Sequence, residues 1–379
     1  MSQVLVAGAG PGGLMAAEIL ASAGLQVRLV DHMAAPARKF LLAGRGGLNL
    51  THSETIDHFV LRYGKAADWL EPAIRAFSPQ DLVKWCEGLG VPTFVGTSGR
   101  VFPATMKASP LLRAWLRRLS ALGVSFEPRT PWTGFTGEPA VLAFGGASWP
   151  HLGSDAAWVP VFREAGIEVS PLRPANGRFL VDWSAMLRER FAGVPLKNVA
   201  LTYGGRRVRG EIMITRDGIE GGAVYALSAT MRDEPGQTLF IDLKPDTALK
   251  DVEARLARPR GKDSQSNYLR KALGLPPLTI SLLREGGRGL DAEAVKAVPV
   301  KIKGPAGIAR SISSAGGVMR HEVTDTFMLK KVPGTFVCGE MLDWEAPTGG
   351  YLLQGTFSTA VAAARGLLAH LGVSAPPAP

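Results

Sequence analysis

The sequence predicts an α/β fold: a parallel sheet covered by helices and assembled from the two ends of the chain, with a β-rich lobe and a small helical part inserted between them. Three observations carry this. A strand, a glycine turn and a helix open the chain; a second strand and glycine turn feed a long helix near its end; and between them the pattern changes to short strands divided by glycine turns. At 379 residues the chain exceeds what one core usually fills, so two lobes are expected, each burying its own interior.

The opening unit is the most informative stretch. Val4, Leu5 and Val6 form an apolar run that breaks into Gly8, Ala9, Gly10, Pro11, Gly12 and Gly13, then Leu14, Ala16, Ala17, Ile19 and Leu20 recur at helical spacing. Gly8 permits the tight turn, Gly10 lets backbone approach a pyrophosphate, and Gly13 lets the helix pack on its strand. The free N–H groups of the first helical turn then face the phosphates. Gln26 to Val30 reads as the second strand, and Asp31 follows 18 residues after Gly13, where a carboxylate accepts from the ribose hydroxyls of an unphosphorylated adenosine. This is a Rossmann-like dinucleotide site.

The other end of the chain decides between dinucleotides. Thr335 to Cys338 is an apolar strand ending at Gly339 and Glu340, and beyond Asp343 the chain runs through Thr348, Gly349 and Gly350 into a helix from about Leu352 to Leu371. A second helix N-terminus and an acid just past a strand suit the ribityl chain and the N1/O2 edge of a flavin. NAD requires neither, so FAD is the expected cofactor. No second strand-linked glycine triplet appears, so either NAD(P)H visits as a transient co-substrate or electrons run the other way, from an amine to dioxygen.

Between these ends, Ala37 to His52 opens with Arg38 and Lys39 and places Gly44, Gly46 and Gly47 around Arg45, a loop suited to an anion or a flavin ring. Asp57 to Leu89 reads as helical with packing aromatics. Gly99 to Pro103 turns into an extended piece, and Leu111 to Leu122 is a helix whose Arg113, Arg117 and Arg118 form a solvated face. Val141 to Gly146 reads as a strand whose Gly145 and Gly146 bring backbone to the adenosine end. His151, in the loop that follows, is a candidate for proton transfer because an imidazole titrates near neutrality.

Composition narrows the classes. Hydrophobic residues at 46% and charged residues at 20% describe a globular protein. The net charge of +10 favours polyanions or anionic ligands. Two cysteines, Cys86 and Cys338, form no CxxC pair, so no disulfide framework or metal site is expected. No basic-then-apolar leader and no apolar run of ~18 residues occurs, so the expected address is cytoplasmic, with no membrane partner. Ser374 to Pro379 should be a flexible tail.

The chain resembles the BaiN-like (YhiN-like) family of NAD(P)/FAD-dependent oxidoreductases, relatives of the glutathione-reductase-type flavoproteins. The resemblance rests on GAGPGG at Gly8 to Gly13, ARKFLLAGRGGLN at Ala37 to Asn49, GRVFPATMKAS at Gly99 to Ser109, LAFGGASWPHLGS at Leu142 to Ser154, GEIMITRDGIEGGAVYALS at Gly210 to Ser228, and SSAGGV followed by FVCGEMLDWEAPTGGYLLQGTFSTA at Ser313 to Ala360. It implies an FAD-binding domain in two pieces, 1–172 and 311–373, an inserted domain that is barrel-like in its β-rich part at 173–310, and a tail at 374–379. It also implies FAD contacts from Lys39, Asn49, Gly339, Glu340, Asp343, Gly350, Leu352 and Gln354, with Gly349 and Tyr351 beside them. Where the main branch has an SGxGRCN-like run, this chain has Gly47 and Leu48 in place of the arginine and the cysteine. A thiol there could donate a proton; Leu48 cannot.

The reaction expected on these grounds is hydride transfer between flavin N5 and a polarised C=C or C=N bond, with NAD(P)H as reductant. Two alternatives stand beside it: oxidation of a small amine with dioxygen as acceptor, and an RNA-associated flavoprotein that modifies or binds ribosomal RNA. The substrate is thus a small molecule or an RNA. Arg45, Asn49, Arg100, Lys107 and His151 are the candidates for placing it or moving its proton.

Overall fold

The computed structural model describes residues 3–44, 46–287 and 289–376. The chain divides into two compact units, one of Met1–Arg173 with Ile312–Pro379 and one of Pro174–Ser311.

The first unit is built on a five-stranded parallel sheet in the order Thr335–Val337, Ala140–Leu142, Gln3–Ala7, Gln26–Asp31, Ser125–Pro128. Strand Gln3–Ala7 lies at its centre, and Val4, Leu5, Val6 and Ala7 are all buried. That explains the continuous apolar run: a parallel strand covered on both faces has no solvent side. The strand read as Val141–Gly146 is shorter, Ala140–Leu142, and the chain leaves the ladder before the two glycines.

Helix Pro11–Ser22 starts on the proline of the first turn, where the missing N–H costs no hydrogen bond. Against it packs helix Tyr351–His370, which buries Phe357, Val361, Leu367 and Leu368. Each such side chain contributes roughly 1.5–3 kcal/mol on burial. Gly366 allows a close approach, since a Cβ there would stand 2.7 Å from Phe336 and Thr326.

The helical reading of 57–89 resolves into Ile56–Leu61, Ala67–Ala76 and Pro79–Gly88, the last begun by a Ser78–Asp81 capping box. Its Trp85 does more than pack. Glu18, 2% exposed in the middle of the first helix, accepts from Trp85 Nε1 (3.1 Å), Trp115 Nε1 (2.6 Å) and Arg118 (2.9 Å). Arg118 therefore departs from the solvated face expected of it: it neutralises a buried carboxylate and caps the Gly88 carbonyl.

A small antiparallel sheet, Thr51–His52, Arg100–Pro103 and Thr93–Val95, hangs beside this layer. It is tied to the N-terminus of helix Tyr351–His370, because a Cβ on Gly350 would fall 2.5 Å from the Thr51 backbone.

The inserted unit carries a seven-stranded antiparallel sheet ordered Val298–Lys301, Thr238–Asp242, Pro195–Tyr203, Arg206–Thr215, Gly218–Glu220, Phe179–Leu180, Gly304–Pro305. It has its own core, with Leu201, Ile212, Ile214, Leu239 and Ile241 fully buried. The helical portion is larger than the sequence suggested. Leu249–Leu256 is followed by Gln265–Leu273, Pro277–Glu285 and Ala292–Lys296 before the chain re-enters the sheet. Short helices with few apolar residues leave a weak periodic signal.

Candidate functional site

Both glycine turns open onto one cavity of about 570 Å³ in the first unit, and Gly10 and Gly350 both line it. The local chemistry at the first turn follows from its glycines. Gly8 has φ +98°, a conformation side chains resist, and a Cβ on Gly13 would stand 1.8 Å from the Gly8 carbonyl oxygen. At Gly10 an added Cβ would meet nothing within 4 Å. Gly13 thus closes the turn onto the helix, while Gly10 presents bare backbone to the cavity. Asp31 sits at the end of the second strand, and its carboxylate accepts from Ala9 N (2.6 Å) and Met33 N (2.7 Å). It fixes the turn it faces, and it lines the cavity.

An ion pair joins the two chain pieces in the cavity wall. Lys39, on helix Arg38–Ala43, donates to Glu340 Oε2 (2.8 Å) and Ser148 Oγ (2.6 Å), and Glu340 Oε1 accepts from Ser314 N (2.7 Å). The acid just past the strand is therefore already charge-compensated. Leu48, fully buried, lines the wall where the resembling branch carries its cysteine, and its N–H is held by the Met106 carbonyl (2.9 Å). Cys338 also lines the cavity, but burial pushes its thiol up to about 12, so it is a neutral packing group.

The second turn has its own support. Tyr351 donates to Glu54 Oε1 (2.6 Å), and Arg62 makes two hydrogen bonds to the same carboxylate (3.1 and 2.7 Å). Burial alone would raise Glu54, but Arg62 and Tyr351 outweigh it and hold the carboxyl below its usual range. Burial, then the bond to Glu54, pushes the Tyr351 phenol up.

Of the residues singled out from sequence, Gly8, Gly10, Pro11, Gly12, Asp31, Lys39, Asn49, Arg100, Gly145, Gly339, Glu340, Gly349, Gly350 and Leu352 come together around the cavity. Others stand behind it. Gly146 packs on Ser314, where a Cβ would be 2.4 Å from the hydroxyl. Asp343 accepts from Ser170 Oγ (2.6 Å), and Gln354 donates to the Phe77 carbonyl (2.8 Å). Gly13 and Tyr351 support the two turns. Lys107, a candidate for placing the substrate, and His151, the candidate for proton transfer, lie outside the lining. Lys107 is an exposed residue capping helix Ala108–Ala121, and His151 is exposed with its ring on Trp149 (5.6 Å); neither lines the cavity. Arg45 lies outside the described residues.

Sequence reasoning missed Ser154, Trp149, Phe144 and Thr356, all in the wall. Ser154 and Trp149 belong to the ASWPHLGS loop, but a serine carries no signal until its burial is known. Ser154 Oγ and Asn49 Oδ1 are buried with no hydrogen-bond partner among the described residues. Buried polar atoms are nearly always satisfied, so these two fit a ligand that brings its own polar groups. With an open glycine turn and a helix N-terminus at two points of one cavity, the residues present fit a dinucleotide.

The chain matches the family described as HI0933-like protein Rossmann domain over residues 2–366. It belongs to that family. Among curated HI0933-like relatives, it is 27% identical to the "Ribosomal RNA dihydrouridine synthase" of Escherichia coli K12, over 96% of this chain and 98% of that one. It is 25% identical to the "3-dehydro-bile acid delta(4,6)-reductase" of Clostridium scindens, with the same two coverages. Two solved structures share the fold. One is an open-conformation flavocytochrome c3 fumarate reductase (TM-score 0.52, 15% identity, 97% of this chain and 78% of that one). The other is a 3-ketosteroid delta1-dehydrogenase from Sterolibacterium denitrificans (TM-score 0.51, 12% identity, 97% and 100%). This HI0933-like chain is an FAD-binding flavoprotein and an oxidoreductase. No helix among the described residues is long and apolar enough to cross a membrane.

Proposed function

We propose that this flavoprotein is a reductase of polarised C=C or C=N bonds in a small molecule, with NAD(P)H as its reductant. When bound, FAD supplies the hydride chemistry. The chain's own residues do the rest. The turn at Gly8–Gly12 and the N-terminus of helix Pro11–Ser22 hold the diphosphate, with Asp31 toward the adenosine ribose. Asn49 and Ser154 pair with polar groups of the cofactor, and Lys39 with Glu340 keeps the wall beside Gly339 rigid.

The observation that carries this reading is the placement of Leu48 in a wall that, among the described residues, offers no free carboxyl or reactive thiol. Asp31 and Glu340 are engaged and the Cys338 thiol is buried and neutral. Reduction of such a bond takes one hydride and one proton, and water can supply that proton where no side chain does. The names of the two curated relatives, a dihydrouridine synthase and a delta(4,6)-reductase, support the reductive direction. Anaerobic mixing of the FAD-loaded protein with NADPH or NADH tests it: rapid bleaching of the flavin is expected. Bleaching by small amines and not by either nicotinamide would replace this reading with the oxidase.

A second reading is favoured by one observation, the segregation of charge. Of the 43 Lys and Arg, 23 lie in residues 174–311, against 15 of the 33 Asp and Glu, so most of the net +10 belongs to the inserted unit. Arg255, Arg258, Arg260, Lys262 and Arg270 are exposed there, and Tyr268 Oη pins the loop by reaching the Leu256 and Arg258 carbonyls (2.7 and 2.8 Å). Such a patch suits an RNA backbone. Oligouridylate affinity that falls steeply with salt would support this reading, and background binding at low salt would remove it.

A further inference from the structure

Two arginines in the cavity wall, Arg38 and Arg100, pair with no carboxylate among the described residues. Arg38 stands beside the first glycine turn, since Ala37 N donates to the Ala9 carbonyl (2.8 Å). It is the cation a diphosphate at that turn would meet. Arg100 is placed differently. Its strand pairs with Thr51–His52, the strand against which Gly350 packs, so it belongs to the second turn. The carboxylate nearest along that sheet, Glu54, is taken by Arg62 and Tyr351. His52 is engaged within the sheet, its Nδ1 accepting from Glu54 N (3.2 Å) and its Nε2 facing the Ser98 carbonyl (3.0 Å). One dinucleotide has one diphosphate, and Arg100 is a cation left over.

The surroundings of Arg100 say what else would lie there. Side chains two apart on a strand share a face, so Arg100 and Phe102 point to one side while Val101 and Pro103 point into the fold. Phe94, paired with Phe102 across the sheet, stacks on it at 5.8 Å and 29°. Phe94 is 43% exposed, although most large apolar side chains of this unit are buried. The ledge reaches the cavity at Gly47, where an added Cβ would meet Met106 at 2.6 Å and Phe102 at 3.7 Å. Arg100 and Phe102 are separated by about 7 Å along the strand, the kind of span that joins a carboxylate to a ring through a short unsaturated link.

We propose that the face formed by Arg100, Phe102 and Phe94 is the substrate-recognition ledge, and that it takes a flat, unsaturated organic acid: carboxylate on the Arg100 guanidinium, apolar body against the phenylalanines. This deepens the small-molecule reductase reading and rests on it for the reaction, but binding to the ledge needs no turnover. Charge complementarity is what selects an acid over its neutral analogue.

The test is a titration of the oxidised, FAD-loaded protein with trans-cinnamate and with its neutral isostere cinnamamide, followed by calorimetry and by perturbation of the flavin spectrum, with no reductant present. Cinnamate should bind at least tenfold tighter than cinnamamide, and added salt should narrow the gap. Arg100→Gln should abolish the preference and Arg100→Lys should keep part of it. Phe94→Ala, an exposed position that folding does not depend on, should weaken both ligands severalfold. Equal binding of the two ligands to the unaltered protein overturns the proposal, and so does a preference that survives Arg100→Gln. If Arg100→Gln shifts only the flavin reduction potential, Arg100 serves the cofactor and the proposal fails. Arg100-dependent binding of oligouridylate without binding of cinnamate also overturns it. Should Arg100→Gln lose FAD, Arg100→Lys and the salt dependence still decide. Failure of nicotinamide to bleach the flavin would sink the reductase reading while leaving these affinities as measured.

Discussion

Lys39 and Glu340 lie 301 residues apart in the chain and meet at 2.8 Å. Breaking a buried pair by removing one partner costs about 3–5 kcal/mol. Here the two side chains keep 26% and 16% exposure, so solvent screening reduces that to about 1–3 kcal/mol. Lys39→Met should therefore lower stability by that amount in denaturant titrations and weaken FAD retention. Adding Glu340→Gln should recover part of the loss, because the second change removes the stranded charge. A strictly additive double variant would show that the pair does not couple.

Glu54 gives a pH prediction with a definite sign. Its folded-state pKa is lowered, so its contribution to stability is present above the ordinary carboxylate pKa, about 4.3, and disappears as pH falls through the lower folded value. The melting-temperature gap between the native chain and Glu54→Gln should thus be full near neutral pH and close only in acid below the ordinary carboxylate range. The same logic inverts for the buried thiols. Cys86 and Cys338 are each pushed up to about 12, so both should resist alkylation near neutral pH until the protein is unfolded. Reaction of either thiol in the native state would contradict their burial.

At the scale of elements, the first helix is held by a polar device in an otherwise apolar core. Glu18 accepts from two indole N–H groups and one guanidinium, which joins helices Pro11–Ser22, Pro79–Gly88 and Ala108–Ala121. Glu18→Ala leaves two buried indole donors without an acceptor and Arg118 without its carboxylate, and should cost on the order of 3–5 kcal/mol, while Glu18→Gln should cost less because one oxygen remains. Unfolding by urea would show both. A loss below about 1 kcal/mol for Glu18→Ala would mean water replaces the carboxylate. This device was not legible in the sequence. A glutamate within a helical period reads as solvent-facing, and only the approach of two tryptophans from distant segments changes that.

The two turns contrast in the same way. The first was legible because its components are local: strand, turn, helix and acid fall within the first 31 residues, and Gly13 answers a steric demand from Gly8, five residues away. Gly13→Ala should abolish FAD retention, since its Cβ would have to occupy the Gly8 carbonyl. The second turn was legible as a glycine pair before a helix. Its support by Thr51, Glu54, Arg62 and Tyr351 was not, because those contacts span nearly 300 residues. Gly146, Asp343 and Gln354 show the limit from the other side. Their motif context points to the cofactor, while the structure packs Gly146 against Ser314 and gives Asp343 a bond from Ser170 and Gln354 a bond to the Phe77 carbonyl, contacts that no local window shows.

At the scale of the whole molecule, the cofactor unit is made from both ends of the chain and is closed by contacts between them. Ligand that binds only the folded state stabilises it by mass action, about 2.7 kcal/mol at a hundredfold excess over Kd. FAD should therefore raise the melting temperature of the native chain in a concentration-dependent way, and this gain should vanish in Gly13→Ala. A rise that persists in that variant would place the bound flavin elsewhere than at the first turn.

The amino-acid sequence by itself determined the α/β class, the two glycine turns, the acid after the second strand and the expectation of FAD, because these depend on short-range sterics and hydrogen bonding that repeat wherever such a turn is built. Only the tertiary structure decided which residues share a wall: that Lys39 meets Glu340, that Leu48, Asn49 and Ser154 line it, that Lys107 and His151 do not, and that Arg100 pairs with no carboxylate among the described residues. Burial and long-range pairing are properties of the packed chain, and no window of sequence contains both partners.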